Sequence, residues 1–202
     1  MRVHQEIELL DDELRRNFDT GILPGDTSEE LLLPIYTRPL QETRFVEFCQ
    51  DNGIVAYLPL KKVLRVKKQT VNGKDYEYAK TILRPMFPSY VFAKLNTDQR
   101  SQVFRSNAIV HILSENPEGQ NALIRDVLTI RSIELASISQ ELDFNAQIKE
   151  GDRFFMESGP FQGTYGYLVR KDNLYQWTIQ IECLGQLVRA TLDPITVKIT
   201  RA

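Results

Sequence analysis

Lys61, Lys62, Lys67 and Lys68 stand on one side of an Asn72-Gly73 dipeptide, in a run from 61 to 84 with 8 basic and 2 acidic side chains. A cluster like this can hold a polyanion by charge alone, or it can be a solvated basic face. The whole chain is polarised in the same way. Residues 1 to 30 carry net −6, residues 31 to 113 net +7 and residues 114 to 202 net −3, behind a formal total of −2. A second cluster is aromatic. In "RPMFPSYVFAKL", residues 84 to 95, Pro85 and Pro88 bracket Met86 and Phe87 just before a strand signal from Tyr90 to Leu95. Proline cannot donate to a sheet ladder, so this bulky pair falls where the chain is not ordinary sheet. Both clusters suit binding.

No comparable set of residues suits catalysis. There is no nucleophile–base pair, phosphate loop or metal-ligand spacing, and the two histidines (His4, His111) and two cysteines (Cys49, Cys183) are scattered. The expectation is a chain without enzymatic activity, metal or cofactor. The cysteines lie inside apolar patterns and read as small buried hydrophobes of a reducing compartment. No run approaches the roughly 20 apolar residues of a membrane span. The start, "MRVHQEIELLDDELRR", is acidic and broken by charge rather than patterned as a signal peptide, so a cytoplasmic location is expected.

These clusters need elements to position them. Ile7, Leu10, Leu14 and Phe18 recur at helical spacing and predict a helix over 5–18, followed by the breakers Gly21, Pro24 and Gly25. "LLLPIYT" reads as a strand. "LQETRFVEFCQDNG" reads as a helix with Glu42, Phe45, Val46 and Cys49 on one face, closed by Gly53. "IVAYLPL" is a strand, and alternation around Asn72-Gly73 predicts a hairpin. The strand at 90–95, a short helix begun by Thr97 and the strand "IVHIL" complete a β-α-β-hairpin-β-α-β order. That order predicts α+β with a mainly antiparallel sheet flanked by helices. "NALIRDVLTIRSIELASISQEL" is helical, with Leu123, Val127 and Ile130 apolar. Residues 148 to 200 hold short strands, with turns at Glu150-Gly151-Asp152, Ser158-Gly159-Pro160, Asp172-Asn173 and Leu184-Gly185, and predict a small barrel. The resulting division is an acidic extension and linker at 1–30, a domain at 31–140, a linker at 141–147 and a barrel at 148–202.

Gly151, Asp152, Gly159, Pro160, Phe161, Gly163 and Gly166 follow the pattern of a KOW motif, and the segment resembles the SH3-like KOW barrel of the NusG family. "YTRPLQETRFVEFCQDNGIVAYLPL" and "RPMFPSYVFAKL" resemble the N-terminal domain shared by NusG and its specialised paralogues such as RfaH. Together the two resemblances span about residues 31–198. They imply a transcription elongation and antitermination factor that binds RNA polymerase at the coiled-coil tip of its clamp. The matched pocket positions are Tyr36, Phe87, Pro88, Tyr90 and Phe92, with the prolines fixing the backbone so that Phe87 projects. The alternative is that these aromatics pack a core. Arg38, Gln41 and Arg44 match positions facing the non-template DNA strand, or else they are a solvated helix start. The hairpin lysines Lys61, Lys62, Lys67 and Lys68 would track upstream DNA.

On the KOW domain, Phe161, Ile181 and Leu184 match the surface that meets Rho or a small-subunit ribosomal protein, although Phe161 also suits a barrel core. Leu32-Leu33-Pro34, where the family often has Trp-Tyr, and Ser89, where it often has Gly, suggest a specialised paralogue acting as a monomer. The other implied readings are a general NusG that couples to Rho-dependent termination, and an RNA- or ribosome-binding KOW protein. The acidic extension lies outside the resemblance. It could recruit a partner, cover the basic domain and its apolar pocket, or pack on its own domain.

Overall fold

The computed structural model describes residues 2–25, 29–71, 74–113, 119–140, 142–143, 153–171, 174–192 and 197–202. The Asn72-Gly73 turn, the Gly151-Asp152 start of the KOW pattern and the Asp172-Asn173 turn lie outside them. The chain divides into two compact units, Met1–Ser114 and Glu115–Ala202. Both are antiparallel, so the architecture is α+β as the element order predicts.

In the first unit, α1 (Arg2–Arg16) and a 3-10 turn (Thr20–Ile22) precede β1 (Leu31–Thr37), α2 (Glu42–Asp51), β2 (Ala56–Tyr57), β3 (Leu60–Val71), β4 (Lys74–Pro85), β5 (Tyr90–Leu95), α3 (Thr97–Gln102) and β6 (Ile109–Ile112). Four strands form one sheet in the order β2-β5-β1-β6, and β3 and β4 form a separate two-stranded ribbon. The ribbon's register, Leu60↔Pro85 through Val71↔Lys74, is the one a two-residue turn at 72–73 demands. Pro34 sits just before the stretch of β1 that pairs with β6, where a missing N–H costs the ladder least.

Alternation along the strands sends Leu33, Ile35, Val91, Ala93 and Leu95 to one face of this sheet. There they meet Phe45 and Cys49 of α2 and Val103, Ala108 and Ile109 in one buried cluster. The spacing 42, 45, 46, 49 read from the sequence is the face α2 buries. Burial desolvates the Cys49 thiol and pushes its pKa up to about 12, so it is an inert packing group. Gly53, at φ 67, closes α2 in a conformation that disfavours side chains.

Three local expectations change. The strand expected over 54–60 shortens to Ala56–Tyr57, because Pro59 withholds a donor and Leu60 already pairs in the ribbon. Asn96, not Thr97, starts α3: its side chain accepts from Gln99 N while Gln99 returns a bond to Asn96 N, a reciprocal capping box. The third change lies in the second unit, where the long helix α4 (Gln120–Ala136) ends six residues before the sequence pattern does.

In that unit α4 is followed by β7 (Leu142–Asp143), β8 (Arg153–Ser158), β9 (Tyr165–Lys171), β10 (Leu174–Ile181), β11 (Gln186–Leu192) and β12 (Lys198–Arg201). Their order in one six-stranded sheet is β12-β8-β9-β10-β11-β7. Where a small barrel is expected, the short strands form this one sheet, which is consistent with a KOW domain. Gly166 is required there, because a Cβ would lie 2.6 Å from the indole of Trp177. Residues 142–143, expected to be linker, pair with Arg189 and Ala190 of β11. α4 groups with this sheet, whereas the sequence division placed it with the preceding domain. Cys183 N donates to Asp126 of α4 at 2.8 Å, and α4 lies against β10 and the turn Glu182–Leu184. An apolar helical stripe says that a helix covers something, not which sheet it covers.

Candidate functional site

The second face of the first unit's sheet collects the residues that point away from α2. Register places Leu32 opposite Lys94, Pro34 opposite Phe92 and Tyr36 opposite Tyr90, with Tyr57 beside Phe92 and His111 beside Tyr36. Three of the expected pocket residues, Tyr36, Tyr90 and Phe92, therefore share this one aromatic face. Phe87 is the exception to the expected projection: it is only 4% exposed, while Pro88 is exposed.

The turn carrying Phe87 is held from three sides. Met86 N donates to Pro59 O at 2.7 Å, Thr37 N donates to Ser89 O at 2.8 Å, and Ser89 N donates to the buried Glu42 carboxylate at 2.7 Å. Ser89 adopts φ 67, which explains why glycine suits this position. Glu42 and His111 were not read from the sequence as site residues. The capping-like position of Glu42 gives no sign that it reaches a turn 47 residues away. The pairing of His111 depends on strand order.

The two ends of the face differ. At one end, Phe18 meets Tyr57 edge to face with centroids 5.0 Å apart, and Tyr57 stacks on Phe92 at 6.3 Å. Leu14, Ile22, Leu32, Tyr57 and Phe92 are all essentially solvent-free. Asn17 Nδ2 donates to Leu58 O at 2.7 Å, and Glu30 pairs with Lys94 at 3.1 Å. The N-terminal segment thus closes this end. At the other end Tyr36 and Tyr90 are half-buried and His111 is exposed, with Tyr36 5.3 Å from the Tyr90 ring and 5.1 Å from His111.

Arg38, Gln41 and Arg44 come together at the start of α2. Gln41 N donates to Arg38 O, and Arg44 Nη1 donates to Gln41 Oε1 at 3.3 Å, while both guanidinium-bearing residues are exposed. On the ribbon, Lys61 is half-buried and desolvation lowers its pKa. Lys62 Nζ donates to Asp11 of α1 at 2.8 Å, both side chains being 19% exposed. The side chains of Lys67 and Lys68 lie outside the described residues; their backbones pair with Tyr78 and Glu77.

The expected KOW contact residues are interior. Phe161 and Ile181 are fully buried and Leu184 is 7% exposed. Alternation on β10 turns Ile179 and Ile181 inward together, and the Thr164 hydroxyl, donating to Phe161 O, locks the turn that inserts Phe161. Among the described residues of this unit the exposed aromatic is Tyr165. It packs on Phe155 at 5.0 Å and under the Arg153 guanidinium at 5.0 Å. It borders a cleft of ≈ 610 Å³ between the sheet and α4 whose charges, Arg125, Asp126, Arg153 and Glu182, are of both signs. Among the described residues no cluster of three or more His, Cys, Asp or Glu side chains could hold a metal ion. None of the described helices is long and apolar enough to cross a membrane.

The family described as "Transcription termination factor nusG" matches residues 34–133. No curated protein matches the chain. Among solved structures, one described as "Domain interaction in Thermotoga maritima NusG" is 16% identical, with 84% of this chain and 96% of that chain covered and a TM-score of 0.44. Another, the MjSpt4:Spt5 complex in conformation B, is 14% identical, with 85% and 98% covered and a TM-score of 0.25. Over residues 34–133, then, the chain is similar to the NusG family of transcription factors.

Proposed function

We propose that this chain is a specialised transcription elongation factor that docks on the RNA polymerase clamp and keeps the enzyme processive, favouring antitermination. The observation that carries this reading is the aromatic face inside the NusG match, open at Tyr36, Tyr90 and His111. Half-exposed aromatic rings backed by sheet suit a helical partner, since they offer apolar area at low entropic cost. Phe92 lies on the same face, and Phe87 is buried in the turn before β5. Arg38, Gln41 and Arg44 form an exposed, donor-rich group that suits the non-template strand, and the basic ribbon suits upstream DNA by charge. The factor acts by shifting the clamp toward its closed population, with no chemistry of its own. It works in the cytoplasm as a monomer.

The core positions of Phe161, Ile181 and Leu184 direct any Rho or ribosomal contact to neighbouring surface residues such as Tyr165. Pull-down from a lysate tests the reading. Co-purification of RNA polymerase is expected. Co-sedimentation with ribosomes in its place would favour an RNA- or ribosome-binding protein.

A further inference from the structure

The segment from Asp11 to Ile22 touches both surfaces assigned a role above. Phe18 packs on Tyr57 at one end of the aromatic face, Leu14 and Ile22 are fully buried, and Asp11 holds Lys62 of the ribbon. Among the described residues of α1 only Leu14 is fully buried, and the helix's outward side chains Glu8, Asp12, Glu13, Arg15 and Arg16 are exposed. Just after the helix, Asn17 Nδ2 donates to Leu58 O and Phe18 meets the Tyr57 ring. A helix of 15 residues is marginal in water by itself. A helix whose described side chains are mostly exposed or partly exposed belongs to the low-stability end of a domain, which opens before the core does.

We infer that residues 11–22 form a displaceable cover over the closed end of the aromatic face, and that the Asp11–Lys62 pair is its latch. The inference rests on the reading that the face meets polymerase and the ribbon meets DNA. A phosphate backbone on the ribbon competes with Asp11 for Lys62, and its negative charge repels the acidic helix. DNA binding and uncovering then favour each other, and linkage requires the effect to be reciprocal. The enlarged face, with Tyr57 and Phe92 freed, is offered to the polymerase where DNA is already present. The sequence-level alternatives of cover and packing become one device: the segment packs, and its packing is conditional.

Hydrogen exchange on the full chain tests this without polymerase, so the result stands apart from the clamp reading. The probe is duplex DNA of random sequence, about two helical turns long. Amides of residues 11–18 are expected to exchange well before those of β1 and β5, and faster still when DNA protects the ribbon. Asp11→Asn should raise their opening about fivefold without DNA, the scale of one ion pair. Lys62→Gln should raise it likewise and shrink the further increase caused by DNA. If residues 11–18 exchange as slowly as β1 and β5 in every sample, the segment is permanent core and the inference fails. If Asp11→Asn opens them but DNA does not, the latch as a DNA sensor fails.

Discussion

The two ends of one sheet face are built from the same kind of side chain yet have different fates. At the Phe92 end, rings from β2 and β5 are buried, with Phe18 of the N-terminal segment packed against Tyr57. At the Tyr36 end, rings from β1 and β5 lie beside an exposed histidine and stay half-open. Aromatic content therefore does not mark a binding surface; what decides is whether the chain supplies its own cover. The buried end contributes mainly to stability. Its few-residue lid makes it convertible, whereas the helix-side core beneath α2 is not.

The largest effects should come from the sealed end. Phe92→Ala is expected to cost about 3–5 kcal/mol, and Leu14→Ala about 2–5 kcal/mol, in chemical denaturation. A loss below about 1 kcal/mol for Leu14→Ala would show that the segment adds little to the fold. Tyr36→Ala, at the open end, should cost only about 1 kcal/mol in the same assay, the ordinary scale of a partly exposed substitution. Equal losses at Tyr36 and Phe92 would erase the distinction between the two ends. Asn17→Ala removes the bond to Leu58 O and should cost about 1 kcal/mol while raising the exchange of α1 amides selectively. Smallest is Ser89→Gly, which relieves a left-handed backbone at φ 67 and should gain up to about 1 kcal/mol by melting temperature. A loss there would mean that the Ser89 side chain stabilises the turn.

The sequence carried more of the fold than of the site. Periodicity and turn chemistry are local, so α2, the ribbon register and the strand at 90–95 were readable from "ETRFVEFC", Asn72-Gly73 and "YVFAKL". Alternation also put Tyr90 and Phe92 on one face. What escaped was everything that depends on distant partners. Phe87 looks like a projecting residue between prolines, but Glu42 anchors the backbone of Ser89 and the turn carries Phe87 inward. Lys62 looks like one more free cation of a basic run until Asp11, 51 residues earlier, is seen beside it. The same is true of α4, whose apolar stripe fits either unit until Asp126 is found at Cys183 N. Phe161, Ile181 and Leu184 were placed on a surface by resemblance, with a core position read as the alternative for Phe161 alone, yet all three are buried.

The proposed polymerase contact depends on the open end of the aromatic face. The direct measurement is the affinity of the full chain for an isolated polymerase clamp coiled coil, with and without Tyr36→Ala and Tyr90→Ala together, each protein's melting temperature recorded alongside. Two anchoring rings contribute about 2 kcal/mol or more to binding, so the double variant should bind about thirtyfold more weakly while still folding cooperatively. Unchanged affinity in a folded double variant would contradict the assignment of this face to the polymerase.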